Sequence, residues 1–230
     1  MYHCFTFDVL FLYFYQILMS YRWSTSLQLG VMFITSMLTY LTPVQASTGV
    51  AVGEVILATG DVWKMEGAAK LALSRGDKVQ EGDVLQTAAG QLILRMSDGG
   101  LISLRENTKT SLDQYKNRQA DNAGAVRITV EQGIVRSSTG EIGEKDKSKF
   151  RVNTPFSALG IRGTDFITSV NPSGQMVYVV KGEIALSPFN NATGCNANGL
   201  GECSGSPVKT LAASNDSVLS LSRSKKVITL

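Results

Sequence analysis

The sequence offers almost no histidine chemistry. Its single histidine, His3, lies in the first few residues, ahead of an apolar leader. Without it the chain cannot assemble a Ser-His-Asp or Cys-His nucleophile, and it lacks the commonest ligand of catalytic zinc. What remains for catalysis is a pair of carboxylates, the arrangement that hydrolyses glycosidic bonds. Asp165 with Asp98 or Asp83 is the pair to consider. Asp98 and Asp83 each adjoin a glycine, as turn residues do, so turn chemistry is the leading expectation and the chain is expected not to be an enzyme. Glu81 and Asp83 flank Gly82 and carry oxygens of the kind calcium takes. The twelve-residue calcium-loop pattern is nevertheless absent, and no metal or cofactor is expected. Trp63 and Tyr178 suit an aromatic platform for sugars, although single aromatics on strands more often pack as cross-strand pairs.

The leader decides the compartment. Leu27 to Leu41 is a mostly apolar run preceded by Arg22 and followed by Val44-Gln45-Ala46, the small-residue pattern of a signal-peptide cleavage site. The run is shorter than the ~20 residues of a spanning helix. Cleavage is expected after Ala46, and translation is expected to begin at Met19, since residues 1–18 form a separate apolar stretch with no basic start. The mature protein is therefore expected in the periplasm or outside the cell, touching a membrane only through an uncleaved leader. Cys4 leaves with that leader. Cys195 and Cys203 remain, and an even pair in an exported chain reads as a disulfide closing a small polar loop. Two glycosylation sequons, at Asn191 and Asn215, matter only in a eukaryotic source.

The 230 residues are 43% hydrophobic and 18% charged, which describes one ordinary globular domain rather than a disordered chain. The net charge of +3 comes without a concentrated basic patch, so nucleic acid is not an expected partner. From Val50 onward, short alternating apolar runs are separated by Gly, Asp and Asn, an all-β pattern. Val126, Ile128 and Val130 should face a core while Arg127, Thr129 and Glu131 face water; Leu92, Leu94 and Met96 repeat the pattern. Four segments share the form apolar-x-x-Gly-x-apolar, around Gly60, Gly99, Gly133 and Gly182. Each reads as a hairpin whose glycine supplies a positive φ. A β-sandwich, a jelly-roll-like barrel or a short β-helix all fit. The domain should run from residue 47 to 187, followed over 188–230 by a disulfide-pinned loop and a C-terminal extension with strands at Ser217–Leu221 and Lys226–Leu230.

The segment Val152-Asn153-Thr154-Pro155-Phe156-Ser157-Ala158-Leu159-Gly160-Ile161-Arg162-Gly163-Thr164-Asp165-Phe166 resembles the signature of FecR domains. Upstream, Gly60-Asp61-Val62, Gly76-Asp77, Gly82-Asp83-Val84 and Asp98-Gly99 fall in that family's order, and Gly182 closes the following strand. The usual serine after Asp-Gly is replaced by Gly100. The residues themselves admit two readings. In the first, Asp165 meets the Arg162 guanidinium, Thr164 satisfies a turn amide, and Thr154, Pro155, Gly160, Gly163 and Phe166 shape the scaffold. In the second, Arg162, with Thr164 and Asp165, is presented to an anionic group on a partner. The resemblance implies an envelope module that receives a signal and passes it to a sigma factor. With only a leader before the domain and about 40 residues after it, sigma-factor control is not carried over. The expectation is a secreted, stand-alone interaction or sensing module whose partner is an envelope protein or a cell-wall glycan; a carboxylate-dependent glycan hydrolase is the alternative.

Overall fold

The computed structural model describes residues 49–116, 124–189, 195–203, 208–213, 218–222 and 228–229. The expected leader, its cleavage site, the Met19 start, His3, Cys4 and both sequon asparagines lie outside the described residues. The alternation of apolar and polar residues resolves into thirteen strands of one hydrogen-bonded sheet. These are β1 (Ala51–Glu66), β2 (Ala69–Ala72), β3 (Lys78–Gln80), β4 (Val84–Met96), β5 (Leu101–Leu104), β6 (Lys109–Lys116) and β7 (Ala125–Ser138). After a short helix α1 (Glu141–Lys145) and a 3-10 turn come β8 (Phe150–Asn153), β9 (Ser157–Asn171), β10 (Gly174–Pro188), β11 (Lys209–Ala212), β12 (Val218–Ser222) and β13 (Ile228–Thr229). The protein is all-β, as the sequence pattern indicates.

Five strands are long, and each changes partners part-way along. The first half of β4 pairs with β6 and its second half with β5. The first half of β7 pairs with β6 and, in parallel, with β8; its second half pairs with β5 and β9. β10 runs along β9 throughout but adds β12 at one end and β11 at the other. Bent in this way, one sheet supplies two layers that enclose a single core, the corner-turning solution of orthogonally packed sheets. The core is one cluster drawn from both layers, including Leu85, Leu92, Leu94, Val126, Ile128, Val130, Phe166 and Ile184. The triads Leu92-Leu94-Met96 and Val126-Ile128-Val130 point inward, as their alternation dictates.

The four glycine-centred segments are not four hairpins. All four glycines have positive φ, but only Gly99 lies in a hairpin turn, where its N–H donates to Met96 O at 3.0 Å. Gly60, Gly133 and Gly182 sit inside β1, β7 and β10. There the positive φ bends a continuing strand, and the register slips between Gly60 and Val62 and between Lys181 and Glu183. The C-terminal strands belong to the same sheet: β12 begins one residue after the expected start, and β11 adds a strand for which the sequence shows no clear alternation. Leu211, Leu219 and Leu221 carry the core to this end of the chain.

Candidate functional site

The motif from Thr154 to Phe166 begins as a turn and becomes a bent strand. Thr154 Oγ1 accepts hydrogen bonds from the backbone N–H of Phe156 and of Ser157, each at 3.1 Å, the local bond by which threonine stabilises a turn. Pro155 is exposed beside it, in the turn, a position proline tolerates because it needs no ladder N–H. The Thr154 hydroxyl donates to Gln175 Oε1, and Gln175 Nε2 donates to Ser157 Oγ at 2.6 Å. Because all three side chains are buried, this network ties the turn to β10 rather than to solvent.

The Arg-Gly-Thr-Asp segment forms a corner between β9 and β10. Gly163 (φ 62°) and Gly182 (φ 85°) face each other across it; a Cβ on Gly182 would lie 2.2 Å from Gly163 O, whereas a Cβ on Gly163 would meet nothing. Thr139, at the end of β7, clamps the next residue: its N–H donates to Thr164 O at 2.9 Å, and its hydroxyl accepts from Thr164 N at 2.9 Å. The Thr164 side chain is buried with its hydroxyl unpartnered, so it is the backbone of Thr164, not its side chain, that the corner uses.

Asp165 is held from outside the motif. Its two carboxylate oxygens accept from Arg136 Nε at 2.8 Å and Nη2 at 2.6 Å, a bidentate pair with β7. Asp165 thus reaches sideways to a neighbouring strand, to a residue 29 positions earlier in the chain. The Arg162 backbone pairs with Glu183; its side chain is not among those described. Phe166, fully buried, ends the motif in the core, and a Cβ on Gly160 would lie 2.4 Å from Glu202 Cγ.

That last contact belongs to a second assembly on the same strands. Cys195 and Cys203 form a disulfide, and the half-cystines pack with Phe189 against Ala158. The loop they close lies over Arg151 of β8, which is 3% exposed. Arg151 donates to the carbonyls of Gly201 (2.6 Å), Asn196 (3.0 Å) and Leu200 (3.0 Å). Asn153 donates to Ala197 O, and Arg127 to Asn198 O, both at 2.7 Å. Arg127 and Arg151 are direct cross-strand neighbours, a like-charge pairing that ordinarily destabilises a sheet. Burial, and secondarily the charge of Arg127, pushes the Arg151 pKa down, and the ring of carbonyls holds its charge in place.

The carboxylates proposed for catalysis do not converge. Asp98 is buried, with Oδ1 accepting from Tyr115 Oη at 2.5 Å and from Gly100 N at 3.1 Å, while its Oδ2 is buried without a partner. Gly140 packs against it so closely that a Cβ there would lie 2.5 Å from Asp98 Cγ. Asp83 accepts from Gln80 N at 2.8 Å and lies 3.5 Å from Lys64 Nζ; Glu81 accepts from Tyr115 N at 3.0 Å. Asp83 therefore does turn chemistry, whereas Glu81 reaches across to the end of β6. Among the described residues no group of three or more His, Cys, Asp or Glu is placed to hold a metal. Trp63 donates to Gln86 and carries Lys70 over its ring at 4.1 Å, on a strand far along the sheet order from the β10 strand of Tyr178. The residues that organise the motif, Arg136, Thr139, Arg151 and Gln175, come from distant positions with no local signature.

Burial first, and then the Asp98 charge, pushes the Tyr115 pKa far up. A group whose pKa is raised on folding contributes stability below its unfolded value, near 10 for tyrosine, and that contribution is lost as pH rises above it. Urea midpoints should accordingly fall between about pH 9 and 11, and Tyr115→Phe should flatten that decline. An equal decline in the variant would assign it to other groups.

The FecR protein family model matches residues 83–185. Two crystal structures of a candidate anti-sigma factor from Parabacteroides distasonis ATCC 8503, at 1.65 and 2.50 Å resolution, are similar to the chain at 14% identity, with TM-scores of 0.39 and 0.38. The likeness covers 60% of this chain and 59% and 57% of theirs, so it spans less than two thirds of those chains. No curated protein matches the sequence. The family match contains the whole Thr154–Phe166 motif together with its Asp98-Gly99 turn and its Gly182 bend, so it is the segment from residue 83 to residue 185 that is similar to the FecR family.

Proposed function

We propose that the protein is a non-catalytic interaction or sensing module of the FecR type that works outside the cytoplasm. The observation that carries this reading is the fate of the motif's polar groups. Asp165 is held by Arg136, Thr164 is buried, Thr154 is spent on its own turn, and Asp98 is enclosed with Tyr115. A glycan hydrolase needs two carboxylates facing a shared space, and a pair already bound elsewhere does not supply it. Of the three residues proposed for partner contact, Thr164 and Asp165 hold the corner, which narrows that role to Arg162, toward an anionic group of an envelope protein or cell-wall glycan. A buried disulfide that pins a loop onto the motif strands supports an oxidising compartment, periplasmic or secreted, reached with a leader cleaved after Ala46.

The test is cell fractionation with intact-mass analysis, followed by a pull-down from solubilised envelope with wild type and Arg162→Ala. The expected result is a periplasmic or secreted protein lacking residues 1–46, with both cysteines oxidised, that recovers envelope material as wild type only. Release of soluble sugars from cell-wall glycan, abolished by Asp165→Asn, would overturn the non-catalytic reading. A cytoplasmic, reduced protein would overturn the compartment.

A further inference from the structure

The loop closed by Cys195 and Cys203 contains Asn198 followed by Gly199, the one Asn-Gly pair in the 230 residues. That pair has a chemistry of its own. Glycine has no side chain to hold its nitrogen away from the amide carbon of the preceding asparagine, and no Cβ to restrict the turn that brings the two together. Asn198 is exposed, and the bonds that hold it are backbone bonds: its N–H donates to Asn196 Oδ1 at 2.9 Å and its carbonyl accepts from Arg127 Nη1 at 2.7 Å. The docked loop needs glycine at 199 for a separate reason, since a Cβ there would lie 2.5 Å from Arg151 Nη1 and 3.0 Å from its Cζ. Two guanidinium groups therefore meet one peptide unit, Arg127 on its oxygen and Arg151 against Gly199.

The Arg127 bond lands on the peptide whose nitrogen must react. For that nitrogen to become a nucleophile it must lose its proton, and the resulting negative charge is shared with Asn198 O. A cation donating to this oxygen stabilises the anion more than the neutral peptide, as an oxyanion hole does. Arg127 is positioned in turn by Asp113, 3.8 Å from its Nε, whose carboxylate accepts from the Ser111 and Thr129 hydroxyls, each at 2.5 Å. We propose that Asn198 is a self-modification site, at which Gly199 N closes a succinimide ring and Arg127 activates the reacting peptide. Gly199 N bonds to Asn198 Cγ, the Cγ–Nδ2 bond breaks, and Nδ2 leaves as ammonia with the proton that Gly199 N gave up. Water then opens the ring at one carbonyl or the other, leaving an aspartyl or isoaspartyl carboxylate at position 198. Either product sets a negative charge beside Arg127 and Arg151, which face each other across β7 and β8 as like charges.

The test follows the full chain, freshly purified, through incubation in mildly alkaline buffer. Peptide mass spectrometry places the conversion, and isoaspartyl-specific enzymatic methylation detects one of its products. Wild type should convert at Asn198, faster as pH rises, because the deprotonated nitrogen is the nucleophile. Arg127→Met should slow conversion of the folded protein by roughly tenfold, the worth of one charge-assisted hydrogen bond to the reacting group. Arg127→Lys should recover part of that rate. Both variants should match wild type once the chains are unfolded in urea, and urea midpoints establish that each is folded during the native incubation. Asn198→Asp should raise the midpoint in low salt and lose the gain in high salt, as a new counter-charge does. A folded wild type that stays unconverted while its unfolded form reacts, or a folded Arg127→Met that converts as fast as wild type or faster, would overturn the proposal. An Asn198→Asp midpoint equal to that of wild type in low salt would overturn the product's role as counter-charge.

Discussion

Replacing Arg151 with alanine should destabilise the domain by about 3–5 kcal/mol, among the largest losses available to any charged residue here. Three of its N–H groups donate to three carbonyls of a single loop, and charge-assisted bonds of this kind are each worth about 1.5–3 kcal/mol when broken one-sidedly. Solvent reaches part of the loop, which reduces the sum. Arg151→Lys should recover little, because one ammonium cannot reproduce the spread of a guanidinium toward three separate acceptors. Reduction, or Cys195→Ser with Cys203→Ser, attacks the same unit from the other side. Loop-closure entropy for so short a ring gives about 2.5 kcal/mol, and an undocked loop also leaves Arg127 and Arg151 facing each other without carbonyls. Both changes act through the same loop, so their effects should be strongly sub-additive in a double-mutant cycle read by urea denaturation. Full additivity would mean that the disulfide and the arginine act independently, and the docked loop would lose its role as the counter-charge for β7 and β8.

This unit also separates what the sequence reveals from what it conceals. The disulfide is legible because two cysteines eight apart, behind a leader expected to export the chain, have few other uses. The role of Arg151 is not legible, because a lone arginine at every other position of a strand reads as a wet face; only the loop, more than forty residues downstream, makes that face a buried one. The same logic governs Asp165. Local spacing points only to Arg162, while Arg136, 29 residues away, holds both carboxylate oxygens. The inward triads, by contrast, are legible because alternation with period two is a local property that burial on one face imposes directly. What spacing cannot supply is the identity of neighbouring strands, and with it the distinction between a glycine that ends a strand and one that bends it.

The corner between β9 and β10 turns that distinction into an experiment, since two glycines of positive φ face each other there with different surroundings. Gly163→Ala should cost only the strain of a left-handed backbone, about 1–2 kcal/mol, because its new methyl group would enter open space. Gly182→Ala carries the same strain and also drives its Cβ to 2.2 Å from Gly163 O and 2.7 Å from Thr164 Cγ2, so backbone must move. Its cost should exceed that of Gly163→Ala by about 2 kcal/mol or more, as overpacking against an unyielding neighbour does. The same contrast should appear at the β1–β4 corner, where a Cβ on Gly60 would approach Ala89 O at 2.1 Å, against the Gly67 turn, where it would meet nothing. Hairpin glycines would show no such split, since a turn at the surface leaves room for a methyl group at either position. Equal losses for Gly163→Ala and Gly182→Ala in thermal and urea unfolding would mean that the corner relaxes freely. A large difference would mean that the family motif keeps its Arg-Gly-Thr-Asp shape because two strands cross at backbone contact, with Thr139 and Arg136 fixing the outgoing strand once the bend is made.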